Sequence, residues 1–176
     1  LGELKRVVNS LIQNIDALNN NSILIAATNH HELLDPAIWR RFSTVVTLER
    51  PNLEEIGQLL QLYLKQYPGN ILRKNKKIIL LEKAFDGFSH SDIKTTISNS
   101  VKTAIIKGRK EITVCDILKE IYFYKYHGVE NEEEYIRFLL KYGATHKEID
   151  ECLDISMRKV QDISKKMEGR RIKYGK

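Results

Sequence analysis

The stretch ILIAATNHHELLDPAIWRRF, residues 23–42, carries the side chains of this chain best suited to chemistry. An apolar run ends in a bare asparagine, Asn29, passes through His30 and His31, and then sets Arg40 and Arg41 side by side before Phe42. A segment built only to fill a core has no use for that ending. An amide brings both donors and an acceptor. A guanidinium stays charged, and its fork of donors matches phosphate oxygens. Metal chemistry is not indicated. Cys115 and Cys152 are far apart, His30 and His31 are adjacent, and His90, His127 and His146 are isolated, so no Cys/His pair has metal-ligand spacing.

The elements that must position these residues follow from hydrophobic periodicity. Leu4, Val7, Val8, Leu11, Ile12, Ile15 and Leu18 fall at three- and four-residue spacing, which predicts an amphipathic helix stopped by Asn19 to Asn21. SILIAATN is continuously apolar, as expected of a strand buried on both faces of a parallel sheet. ELLDPAIWRRF reads as a turn into a short helix, with Asp35 as N-cap and Pro36 at the first helical position. STVVTLE reads as a second strand, and Pro51 with Asn52 marks a boundary.

Beyond it the pattern is helical. LEEIGQLLQLYLKQY closes at Pro68-Gly69, and KKIILLEKAF ends before Gly87. SHSDIKTTISNSVKTAIIKG has Ser89 or Ser91 to cap it and Gly108 to stop it, and Thr113 caps TVCDILKEIYFYKY. Four short antiparallel helices of this kind make a compact bundle. Three more follow: ENEEEYIRFLLKYG, THKEIDECLD and SMRKVQDISKKMEGR, the last two joined by a tight turn at Asp154-Ile155.

Taken in order, AATN, LDPA, RRF, a proline before a helix, GFSHSDI and ITVCDIL resemble an AAA+ ATPase over residues 1–122. The resemblance implies the second half of the nucleotide-binding domain and its helical lid. Asn29 falls where that family places its sensor-1 asparagine, which orients the water attacking the terminal phosphate. Arg40 and Arg41 fall where it places arginine fingers, which reach the neighbouring subunit's ATP. Arg41, directly before Phe42, is the first candidate, with Arg40 left to hold a salt bridge; the two-residue insertion common between such arginines is absent. The lid implies nucleotide contacts from Leu59 and Tyr63 beside the base, and from His90 and Ser91 at a helix N-terminus. Leu59 and Tyr63 suit a bundle core equally well. His90 replaces the usual glycine, Ile56 stands where many relatives carry arginine, and Lys94 is the only cation near the sensor-2 position.

None of the nine glycines begins a G-x-x-x-x-G-K-[ST] loop, and IILLEK at 78–83 lacks the aspartate of a Walker B strand and reads as a helix face. The chain is therefore expected to be a C-terminal piece of a longer protein, unable to hold Mg-ATP or hydrolyse it alone. The expected fold is mostly α with a small α/β part. Residues 1–51 would complete a partial parallel sheet of a P-loop AAA+ domain, 52–127 form a four-helix lid, and 128–176 form a three-helix, helix-turn-helix-like module.

That terminal module is basic. From Ser156 onward eight Lys/Arg face two acids, an excess equal to the whole net charge of +6. Ile149, Leu153, Ile155, Val160 and Ile163 match positions that hold a helix-turn-helix together, while Asp150 and Asp154 depart from its small residue and its glycine. Arg158, Gln161 and Lys165 would face outward beside Met157, with Lys166, Arg170 and Arg171 behind them. Such a face suits DNA phosphates or serves a helical adaptor for protein.

The expected function is ATP-driven remodelling of a protein or nucleic-acid substrate by a homo-oligomeric ring, a hexamer, with ATP and Mg2+ bound in the intact protein. The alternative is a non-catalytic DNA-binding or adaptor protein. No signal peptide or membrane-spanning run is evident, and the unpaired cysteines point to the cytoplasm.

Overall fold

The structure, a computed structural model, describes residues 2–19, 21–67 and 71–174. Asn20, Pro68, Gly69 and Lys176, and the side chains of Leu4, Arg170, Arg171 and Lys173, which the sequence reading used, lie outside what is described. The chain divides into two compact units, residues 1–48 and 49–176.

In the first unit, α1 (Gly2–Asp16) packs against α2 (Pro36–Trp39). Val8, Ile12 and Ile15 form the half-buried side of α1, whereas Val7, Leu11 and Leu18 remain exposed. A single 3₁₀ turn, His31–Leu33, leads into α2. Asp35 caps α2 by accepting a hydrogen bond from the Ala37 amide at 2.8 Å, with Pro36 opening the helix as expected.

The expected sheet is absent among the described residues. Neither SILIAATN nor STVVTLE forms a strand, and Ile23 and Ile25 are 91% and 87% exposed. The physical reason is that a strand exists only through a neighbour's ladder. The two segments do not pair with each other, and no other described segment pairs with either.

The second unit is entirely helical among the described residues. It comprises α3 (Leu53–Leu64), a 3₁₀ turn at Ile71–Arg73, α4 (Asn75–Ala84), α5 (His90–Ile106), α6 (Val114–Tyr126), α7 (Glu132–Lys141), α8 (His146–Leu153) and α9 (Met157–Tyr174). Local chemistry sets the helix starts. Asn52 with Glu55, Ser89 with Asp92, Thr113 with Asp116 and Thr145 with Glu148 form reciprocal capping boxes. Ser89, not Ser91, is thus the cap of α5. IILLEK lies within α4, with Ile78 and Leu81 buried. Asp154 closes α8 in the left-handed conformation at φ 55°, a role that asparagine and aspartate tolerate better than other side chains.

One continuous core runs from Ile56 on α3 to Ile163 on α9. Its centre is α6, which packs against α4, α5, α7 and α8, so α3–α6 and α7–α9 share a single apolar interior. Phe85 and Phe88, both nearly inaccessible, meet edge-to-face with ring centroids 5.3 Å apart, a preferred aromatic geometry.

Candidate functional site

In the first unit the chemistry gathers where α2 ends. Arg41 turns back on its own unit: Nε and Nη2 donate to Asp16 Oδ1 and Oδ2, each at 2.9 Å, and Nη1 donates to the Ala37 carbonyl at 2.8 Å. This is the fork-to-fork geometry that carboxylates favour. The hydrogen bond from Arg41 holds the Asp16 carboxyl below the usual carboxylate range, and Asp16 in turn raises the guanidinium.

Arg40, next to it, is exposed and has no ion-pair or hydrogen-bond partner for its side chain among the described residues. Asn29 is also exposed, on a bend at the end of the apolar segment, with no side-chain hydrogen bond among the described residues. His30 and His31 lie 3.6 and 3.3 Å from Glu32 in exposed pairs. Asn29 is therefore not joined to either arginine.

Asp16 is the residue that sequence reasoning missed. A signal was present: it is the last residue of α1, where a negative charge opposes the helix dipole and requires a local cation. Nothing in the sequence said which cation.

In the second unit, Leu59 and Tyr63 sit one turn apart on α3, each half-buried and packed against the core. His90 and Ser91 are the exposed first two residues of α5, and α3 packs against α5. No hydrogen bond links these four side chains to one another among the described residues. Ile56 is wholly buried, leaving no room for the longer, charged arginine.

A cavity of about 190 Å³ between α5 and α6 is lined by Asp92, Thr95, Thr96, Asn99, Glu120, Phe123 and Tyr124. It contains none of the expected site residues. Hydrogen bonds from Ser89 and Tyr124 hold the Asp92 carboxyl low against the opposing effect of burial, whereas burial pushes Glu120 up. No group of three His, Cys, Asp or Glu side chains is arranged to hold a metal among the described residues. None of the described helices is long and apolar enough to cross a membrane.

Residues 2–50, nearly the whole first unit and with it Asn29, Arg40 and Arg41, match the family described as ATPase family associated with various cellular activities (AAA). Residues 2–50 thus carry an AAA ATPase family segment. The chain is 38% identical over 110 residues to an uncharacterized AAA family ATPase of Sinorhizobium fredii, covering 62% of this chain and 32% of that protein. It is 31% identical over 123 residues to a proteasome-activating nucleotidase of Saccharolobus islandicus, covering 68% of this chain and 30% of the other. A proteasome-activating nucleotidase of Saccharolobus solfataricus is 30% identical over 123 residues, with the same coverage. The chain thus spans about a third of the length of the curated relatives it matches. No solved structure matches it. The family implies ATP and Mg2+ in an intact protein. None of the nine glycines of this chain begins a G-x-x-x-x-G-K-[ST] loop.

Proposed function

We propose that the chain is the C-terminal part of an AAA+ ATPase whose ring, a homo-hexamer, couples ATP hydrolysis to remodelling of a protein substrate. It would contribute sensor 1, an arginine finger and the lid. The observation that carries this reading is the corner at residues 39–42, inside the family match, where two adjacent guanidiniums have opposite environments. Similarity to proteasome-activating nucleotidases supports protein over nucleic acid as the substrate.

Arg40 is the finger in this proposal, and Arg41 is its brace. What supports the assignment is that Arg41 already spends three of its donors inside its own unit, while Arg40 is exposed and free to meet a neighbour's ATP. Asn29 holds the attacking water by its amide, a positioning task on which phosphoryl transfer depends. Leu59 and Tyr63 flank the base, and His90 and Ser91 offer polar atoms at the α5 N-terminus.

The test uses the intact protein. Arg40→Ala should cut turnover by roughly 10³-fold or more with ATP binding retained. Mixing it with subunits that cannot bind ATP should restore some active sites. Asn29→Ala should likewise lower turnover and spare binding. Normal turnover in Arg40→Ala, with loss in Arg41→Ala, would return the finger to Arg41; normal turnover in both would end the reading.

A helical adaptor role for α7–α9 has one observation in its favour over DNA binding. Lys159 pairs with Glu132, and Lys166 lies 3.7 Å from Glu133, so basic charge on α9 is neutralised by α7. Arg158 and Lys165 remain exposed.

A further inference from the structure

Cys115 lies in the first turn of α6 and Cys152 in the last turn of α8, two helices packed against each other. Both are free thiols, 0% and 2% exposed. They are hydrogen-bonded to one another, and Cys152 Sγ donates onward to Asp116 Oδ1 at 3.4 Å. The backbone is pinned at the same place, because Lys107 Nζ donates to the Cys152 carbonyl at 2.9 Å. Two buried thiols on packed helices, one of them reaching the residue beside the other and with its backbone fixed, are placed where a crosslink could form.

We propose that Cys115 and Cys152 are a redox pair, and that hydrogen peroxide converts them to a disulfide that locks the terminal helices onto the lid bundle. The hydrogen bond from Cys115 lowers the Cys152 thiol and raises the Cys115 thiol, with Arg109 also favouring a Cys152 thiolate. In this proposal Cys152, the thiol beside the Arg109–Asp116 pair, is the attacking sulfur, acting as its thiolate. Its sulfur takes one peroxide oxygen as the O–O bond breaks, leaving a sulfenic acid and releasing water. The Cys115 sulfur then attacks that sulfur; the S–S bond forms, the S–O bond breaks, and a second water leaves. Two thiols and one peroxide give one disulfide and two waters, the sulfurs oxidised and the peroxide oxygens reduced. Burial selects for this small oxidant over bulky disulfides such as oxidised glutathione.

The consequence is mechanical. α8 is otherwise held to the lid by noncovalent contacts, among them the Lys77–Glu148 ion pair at 2.6 Å to α4. A covalent link would close the loop that contains α7 and restrict the unfolded chain.

The test treats the folded, reduced chain with hydrogen peroxide, then quenches, unfolds and alkylates it with N-ethylmaleimide. The expected product has lost two hydrogens, takes up no maleimide and yields a Cys115–Cys152 crosslinked peptide. Its melting temperature should rise by several degrees and return with dithiothreitol. Cys152→Ser under the same treatment should show no rise. Two maleimide adducts, added oxygen without a crosslink, or a crosslink that lowers the melting temperature would each overturn the proposal.

Discussion

Replacing Asp116 by Asn is the sharpest test of how the second unit is held together. Asp116 is 3% exposed and accepts hydrogen bonds from Arg109 Nη1 at 2.8 Å, from Arg109 Nη2, and from the Thr113 amide and hydroxyl at 2.8 Å each. Cys152 Sγ adds another at 3.4 Å. Asparagine keeps the shape and can still accept from the Thr113 amide, but it leaves the Arg109 guanidinium without a counter-charge. Arg109 is poorly placed to recover, with a buried Nε that already lacks a partner and a side chain only 23% exposed. Breaking one half of a buried pair costs about 3–5 kcal/mol. Partial exposure of Arg109 and the retained cap favour the lower end, about 3 kcal/mol, or a melting temperature lower by roughly 10 °C for a chain of this length.

The pH dependence gives a second readout. Burial pushes the Asp116 carboxyl up, but hydrogen bonds from Arg109 and Thr113 and the Arg109 charge outweigh it and hold the group below its ordinary value. Its stabilisation is therefore complete above the unfolded value of about 4 and is lost as pH falls through the depressed folded value. The gap between wild type and Asp116→Asn, measured by thermal melts of the reduced chain, should be constant above about pH 5 and narrow below about pH 4. A double variant, Arg109→Met with Asp116→Leu, should recover part of the loss, because two apolar groups need no pairing. A melting temperature for Asp116→Asn within about 2 °C of wild type at neutral pH would refute the reasoning.

Two further outcomes follow from single residues. Asp16→Ala should barely move the melting temperature, because the pair it breaks is exposed and screened by water. In the intact ATPase it should nonetheless lower turnover, as Arg41 loses the anchor beside Arg40; equal turnover in an assembled ring would remove the bracing role. Ser89→Ala removes the cap of α5, whose hydroxyl accepts from the Asp92 amide at 3.1 Å, and should cost about 1 kcal/mol in a chemical denaturation curve, while Ser91→Ala should cost almost nothing.

The helices were legible because their causes are local. A capping box spans four residues, an apolar stripe repeats every three or four, and Asp35-Pro36 or Asp154 acts on the turn beside it. The strands were legible only as apolar composition. SILIAATN has the residues of a buried strand, but a strand is a relation between two segments, and no described segment supplies the ladder. The candidate site divides in the same way. The order of AATN, LDPA and RRF pointed to Asn29, Arg40 and Arg41 and to the family, and it favoured Arg41 as the finger; what it did not contain is the pairing of Arg41 with Asp16 in the fold.

By itself, then, the sequence determined the helical segments, their caps and the resemblance to the AAA ATPases, because each rests on neighbours along the chain or on a linear order of motifs. Tertiary structure alone decided that Asp16 binds Arg41 across 25 positions, that the helices bearing Cys115 and Cys152 pack together, and that α3–α6 and α7–α9 share one core. Those contacts arise when helices dock through non-directional apolar burial. The docking angle is a property of the whole packed interior, and no short window of residues encodes it.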